Sequence, residues 1–391
     1  MPVLAIDGGN PVRTQMLPYG HQWIDDDDVE AVAQVLRSDW LTTGPNVAQF
    51  EEAFAAQVGA KYAVAVSSGT AALHAAMYAL GISHGDEVIV PPMTFAATAN
   101  CVVYQGGTPV FADVEPETLL IDPAEVEKKI TPKTKAIIAV DYAGHPCNYD
   151  QLLSISKNYN IPLVADACHA LGAKYKGRPV GSLADLSVFS FHPVKHITTG
   201  EGGMITTDNE EYAQHMRIFR NHGITTDHRQ REAQGSWFYE MVGLGYNYRI
   251  TDFQCALGMS QLRKQPRWLE RRREIAGRYD ETFAKIRGIE PLTVGPDIQH
   301  AYHLYVIRVR KDETGTDRAT LFQALRSRGI GVNVHFIPVY LHPFYRNRFG
   351  THPGLCPIAE EAYEQIISLP IYPAMSDDDV KFVIETICIF R

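Results

Sequence analysis

Apolar positions along this chain follow two spacings. Between residues 25 and 60 they recur every three or four residues: Val29, Val32 and Leu36, then Val47, Phe50, Phe54 and Val58. That spacing places one apolar stripe on each of two helices. Asp25–Asp28 precede the first stripe, where acidic side chains suit the positive end of a helix dipole. From Tyr62 the pattern changes to short, nearly unbroken apolar runs at Tyr62–Val66, Glu87–Val90, Pro109–Ala112, Ala136–Val140, Pro162–Ala165, Leu186–Phe191 and Met204–Thr206. Helical stretches separate most of them. Buried strands alternating with helices predict an α/β domain whose mostly parallel, seven-stranded sheet is flanked by helices.

After Asp252 the spacing becomes long and helical, with Arg271–Glu274 on a solvated face. From about Gly288 a small α+β C-terminal unit is expected. It has strands near Leu304–Val309 and Val332–Phe336, a helix near Ala319–Arg328 and a last helix after Ser376. The expected division is an N-terminal segment over 1–24, a large domain over 25–265, and a connecting helix with the small domain over 266–391. No internal repeat or low-complexity tract interrupts it.

Composition narrows the class. The 391 residues, 45% of them hydrophobic, suffice for a large domain plus a smaller one. A formal charge of -9 with no basic stripe argues against nucleic-acid binding. The six cysteines show no C-x-x-C spacing, so reduced thiols are expected and no metal site. Met1–Ile6 is too short an apolar run for a signal peptide, with Asp7 following at once. No window reaches the ~18 uninterrupted apolar residues of a membrane span. A cytoplasmic enzyme is the expectation.

The chemistry centres on Ser190–Gly203. Lys195 lies just beyond a strand-like run and is followed by hydroxyls and a glycine-rich turn. A lysine so placed can condense with a carbonyl, and hydroxyls nearby can hold an anion. Ser67–Leu73 adds a strand end, a glycine and a helix start. Taken alone it reads as a Ser/Thr cap; beside Lys195 it reads as a phosphate cradle of Ser68, Gly69 and Thr70. Asp166 ends the Pro162–Ala165 run, where a buried carboxylate is costly without a partner; a helix cap is the alternative reading.

The pattern Ser-Phe-x-x-x-Lys-x-x-Thr-Thr-Gly-Glu-Gly-Gly, beginning at Ser190, resembles the DegT/DnrJ/EryC/StrS sugar aminotransferases, and the resemblance runs from about Tyr19 to the C-terminus. It implies the fold type I architecture and pyridoxal 5'-phosphate (PLP) on Lys195. Ser190 would add a hydroxyl to the phosphate, Phe95 would stack on the ring, and Asp166 would keep the pyridine nitrogen protonated. His169 would contact the ring hydroxyl or orient the sugar. Asn247 would reach the phosphate from a second subunit, implying a homodimer with shared sites. Tyr19, Thr42 and His335 match segments lining the nucleotide-sugar cleft, and Arg249 is a pyrophosphate partner or an interface ion pair. Phe191–Lys195, Asp166–Gly172 and Trp237–Met241 are most similar to members acting in pseudaminic-acid synthesis. The implied reaction moves an amino group from L-glutamate to C4 of a UDP-linked 4-keto-6-deoxy-acetamido sugar. Alternatives are another 3-keto or 4-keto nucleotide sugar, or a PLP-dependent sugar dehydratase, whose lysine is replaced by histidine. A PLP-binding regulator would need an added helix-turn-helix module. A cysteine desulfurase would need a loop thiol, for which Cys356 is the loose candidate.

Overall fold

The computed structural model describes residues 15–226 and 228–390. The Met1–Asp7 run and most of the 1–24 segment lie outside the described residues. The first stripe forms the helix Asp26–Leu36, with Asp25 and Asp28 capping it reciprocally, side chain to backbone N–H. The second forms Pro45–Val58, which opens on a proline and ends at Gly59 in the left-handed region, φ 73.

The apolar runs become strands β1 (Tyr62–Val66), β2 (Glu87–Val90), β3 (Thr108–Phe111), β4 (Thr134–Val140) and β5 (Leu163–Asp166). A short hairpin follows, β6 (Lys174–Tyr175) and β7 (Arg178–Pro179). Then come β8 (Leu186–Ser190) and β9 (Gly203–Thr207). The main sheet has seven strands in the order β1-β9-β8-β5-β4-β2-β3. Pairing from β3 through β2, β4 and β5 to β8 is parallel, and only β9 runs against its neighbours. Phe50 and Phe54 pack on Phe191 and Phe189, with ring centroids 5.3 and 5.0 Å apart, and all four are buried. Each contributes roughly 1.5–3 kcal/mol by burial. The C-terminal ends of β1, β2, β4, β5 and β8 therefore open along one edge, where an open α/β sheet presents its crevice.

The 32-residue helix Asp252–Phe283 joins two hydrophobic cores. Its Cys255, Leu262 and Leu269 pack with the main sheet, and its Ile275, Tyr279 and Phe283 with a smaller one. The smaller sheet is β10 (Ile289–Pro291), β12 (Tyr305–Val309) and β13 (Ile366–Leu369), while β11 (Ile298–Gln299) pairs with β6. Val332–Phe336 is not the strand its pattern predicts. A single bridge, Asn333 to Ser368, ties it to β13, and Asn333–Phe336 instead forms cavity wall. Among the described residues no helix is long and apolar enough to cross a membrane, and no cluster of His, Cys, Asp or Glu is arranged to hold a metal.

Candidate active site

The crevice is a cavity of about 620 Å³, walled by residues that leave the parallel strand ends. Ser68, Gly69 and Thr70 follow β1, Phe95 and Thr98 follow β2, Asp166 ends β5 with His169 after it, and Ser190 ends β8 with Lys195 on the turn beyond. Tyr19 and His335 enter from the other side.

Lys195 sits on a tightly cross-linked turn. Its N–H donates to the His192 carbonyl at 2.9 Å. The Thr198 hydroxyl donates to the Phe191 carbonyl (3.0 Å) and that of Thr199 to the Glu201 carbonyl (2.7 Å). These two hydroxyls therefore brace the turn and are not anion ligands; Ser190 alone of the motif's hydroxyls faces the cavity. The Lys195 ammonium has no hydrogen bond or ion pair among the described residues. Burial lowers its pKa, opposed by the nearby Cys168 and Asp166. A lowered pKa brings the amine closer to its neutral, nucleophilic form.

The helix Gly69–Ala79 begins at the cavity wall. Ser68 caps it, accepting from the Ala71 N–H at 3.0 Å. Steric space there admits only glycine: a Cβ on Gly69 would lie 2.9 Å from Ser190 Cβ, and one on Gly203 only 2.4 Å from the Ser68 carbonyl oxygen. The Ala71 N–H is taken by the cap, so the N–H groups of Gly69 and Thr70 are those a helix start can offer to an anion.

Asp166 is 6% exposed. Its Oδ2 accepts from the Thr98 hydroxyl at 2.7 Å and its Oδ1 from the Cys168 N–H at 3.3 Å, and Thr94 and Thr98 share a 2.7 Å hydroxyl contact. It pairs with no cation among the described residues. His169 is buried, with Nδ1 unpartnered, and its ring is parallel to Phe336 at 6.1 Å. Burial, reinforced by Lys195, His335 and His196, holds its pKa well below the usual range. His335 bonds Ser368 Oγ through Nδ1 at 2.8 Å and is pushed down to about 4 by burial and Lys195. Phe95 presents its ring, 62% exposed, at the mouth. A glycine-walled anion cradle, an unpaired carboxylate and a desolvated amine fit the phosphate, ring nitrogen and aldehyde of PLP.

Thr42, Asn247 and Arg249 do not line this cavity. Thr42 pairs with Thr251 and Asn247 with Asn221. Arg249 lines a second concavity of about 460 Å³ with Arg217, Arg220 and Arg229, and donates to Asn221 Oδ1 at 2.8 Å. Conversely, Thr98, Cys168 and His303 are cavity residues that the sequence reading did not single out. Thr98 lies within the Pro92–Asn100 run that carried Phe95. For His303 the available signal was the His300–His303 run ahead of a strand.

A family model described as DegT/DnrJ/EryC1/StrS aminotransferase matches residues 22–388. The spore coat polysaccharide biosynthesis protein SpsC of Bacillus subtilis is 45% identical over 377 residues, 96% of this chain and 97% of that protein. Two solved structures superimpose with a TM-score of 0.89. One is Spr1654 of Streptococcus pneumoniae, assigned as a sugar aminotransferase and solved in a PLP form, 36% identical and covering 96% of this chain and 98% of that one. The other is Helicobacter pylori PseC, an aminotransferase of pseudaminic-acid biosynthesis, 33% identical and covering 96% and 99%.

Proposed function

The chain belongs to the DegT/DnrJ/EryC1/StrS aminotransferase family, a family of PLP-dependent sugar aminotransferases, and from that premise we propose that it aminates C4 of a UDP-linked 4-keto-6-deoxy-acetamido sugar with L-glutamate as donor. The observation that carries the chemistry is Lys195, unpaired among the described residues, in one cavity with an Asp166 that lacks a cation. When bound, PLP supplies an aldehyde to carry the amino group and a ring that withdraws electrons. Lys195 Nζ would hold the aldehyde carbon and, when free, would move a proton at the donor α-carbon. Asp166 keeps the proton on the pyridine nitrogen, while Ser68, Gly69, Thr70 and Ser190 bind the phosphate. Phe95 covers the ring.

Likeness to PseC over nearly the whole chain supports the pseudaminic type. The 45% identity to a protein named for spore coat polysaccharide supports a second reading, a different 3-keto or 4-keto nucleotide sugar. A dehydratase is disfavoured by Lys195 itself. The working unit is a cytoplasmic homodimer in which the partner supplies Asn247, with Arg249 near the substrate pyrophosphate. The test is a panel of keto nucleotide sugars incubated with glutamate, read by mass spectrometry. Amination of the UDP-4-keto-acetamido sugar is expected at the highest kcat/KM. Preference for another sugar overturns the specificity, and amination of none overturns the activity.

A further inference from the structure

Asp166 is held by one short hydrogen bond and one long one. The Thr98 hydroxyl donates to Oδ2 at 2.7 Å, whereas the Cys168 N–H reaches Oδ1 at 3.3 Å. The Thr98 hydroxyl also stands 2.7 Å from that of Thr94, and all three side chains are buried. Proton count fixes the direction of this chain. A hydroxyl has one proton to give, and an ionised carboxylate only accepts. Thr98 therefore donates to Asp166 and accepts from Thr94. A bond that ends on a charge is stronger than a neutral one, and successive bonds polarise one another in a dry interior.

Neither hydroxyl is spent on local backbone, the usual partner of a threonine at a helix start. Thr98 lies in the first turn of the helix Ala97–Tyr104, yet its hydroxyl reaches across to the end of β5. Thr198 and Thr199, by contrast, give theirs to main-chain carbonyls. The stretch 92–100 that carries Thr94 and Thr98 is itself fixed. The Pro92 carbonyl accepts from the Thr94 N–H at 3.1 Å and the Val339 N–H at 3.0 Å, and the Tyr345 hydroxyl donates to Asn100 Oδ1 at 2.5 Å. The same stretch presents Phe95 at the cavity mouth.

A valine would fill the space of Thr98 but leave Oδ2 without its donor, so the hydroxyl is not there for packing. We propose that Thr98 is a positioning residue of the reaction: its hydroxyl, itself oriented by Thr94, holds the Asp166 carboxylate in the orientation from which it meets the pyridine nitrogen. This rests on reading Asp166 as the counter-ion of that nitrogen. Thr98 acts through Asp166, and one stretch of chain thereby sets both the cover of the ring and the partner of its nitrogen.

The test uses the protein loaded with PLP carrying ¹⁵N in its ring, whose resonance reports whether the ring nitrogen holds a proton. In the wild type it should lie in the protonated range, and Asp166→Asn should move it toward the unprotonated one. Thr98→Val, which deletes the hydroxyl at nearly constant volume, should move it the same way by a smaller amount. It should also slow the glutamate half-reaction on the order of tenfold, with little change in KM. Thr94→Val should do less, since Thr98 keeps its bond to Asp166. Thr98→Ser, which returns the hydroxyl, should restore both readouts. If Thr98 only packs, Thr98→Val lowers the unfolding temperature and leaves resonance and rate at their wild-type values; that result overturns the proposal. So does a Thr98→Ser protein as impaired as Thr98→Val, which would give the effect to the methyl group. A larger effect of Thr94→Val than of Thr98→Val contradicts the direction of the chain and overturns it as well. A wild-type resonance in the unprotonated range, or one that Asp166→Asn leaves in place, overturns the counter-ion reading and the proposal with it. Movement in Asp166→Asn without movement in Thr98→Val overturns the proposal alone. Should Thr98→Val fail to fold, Thr98→Ala is read by the same criteria.

Discussion

The Lys195 cavity and the surface around Arg249 handle polarity in opposite ways. In the cavity several working groups are held by their own chain: Asp166 by Thr98 and Cys168, Ser68 by Ala71, His335 by Ser368. Around Arg249, arginines gather in one concavity, and the segment 237–244 that precedes it in the chain turns large apolar side chains to water, with Trp237 85%, Leu244 75% and Met241 66% exposed. Exposed apolar side chains close together in sequence are what a contact surface would use. The first region gathers most of the proposed site within one chain, and the second is the surface on which the proposed homodimer would close. Thr42, Asn247 and Arg249 lie away from the cavity that gathers the other candidates, as the proposed homodimer would require.

If the cavity is self-sufficient for chemistry, Lys195→Ala should have the largest effect. It removes both the attachment point and the proton carrier. General acid–base help alone contributes about 10²–10⁴-fold, so a loss of transaminase turnover on the order of 10⁴-fold or more is expected. PLP should still bind non-covalently, because the cradle at Gly69 is untouched. Borohydride reduction followed by peptide mapping should label Lys195 in the wild type and nothing in the variant. Full transaminase activity in Lys195→Ala would remove the cavity from consideration.

Asp166→Asn should come next. It keeps the shape and the contact with the Thr98 hydroxyl but deletes the charge facing the pyridine nitrogen. Losing one such electrostatic stabiliser costs on the order of 10²–10³-fold. Stopped-flow absorbance of the glutamate half-reaction would read it, with thermal unfolding as the control for fold. An unchanged half-reaction rate would mean that Asp166 serves as a cap and not as a counter-ion.

The same contrast governs what was legible in the sequence. Strands β1, β2 and β5 are short apolar runs bounded by turns, and a run buried on both faces announces itself. Lys195, Asp166 and Gly69 sit at the ends of such runs, so their positions along the sheet edge were readable too. Val332–Phe336 has a comparable pattern but forms cavity wall, because His335 and Phe336 are occupied by tertiary contacts with Ser368 and His169. Ile366–Leu369 supplies the strand in its place and was hidden behind the helix Pro357–Gln365. His303 was invisible for a related reason. Its ring contact with His169 joins parts of the chain that no local period relates.

The smallest effect is the one that tests the second region. If Asn247 serves the neighbour's phosphate, two inactive proteins should repair each other. Lys195→Ala spoils the site of its own chain; Asn247→Asp spoils the site of its partner by setting a negative charge against phosphate with little change in volume. In a hybrid dimer both lesions fall in one site and the other site has neither. Random exchange makes about half of all dimers hybrid, so about a quarter of sites should be intact. Activity should therefore return to about a quarter of the wild-type value per subunit after subunit exchange, which mass spectrometry of intact dimers can verify. If Asn247 acts within its own chain, every site in the hybrid carries one lesion and no activity returns. Absence of recovery with exchange demonstrated would thus make the Arg249 surface an ordinary exterior and leave the Lys195 cavity to bind its phosphate alone.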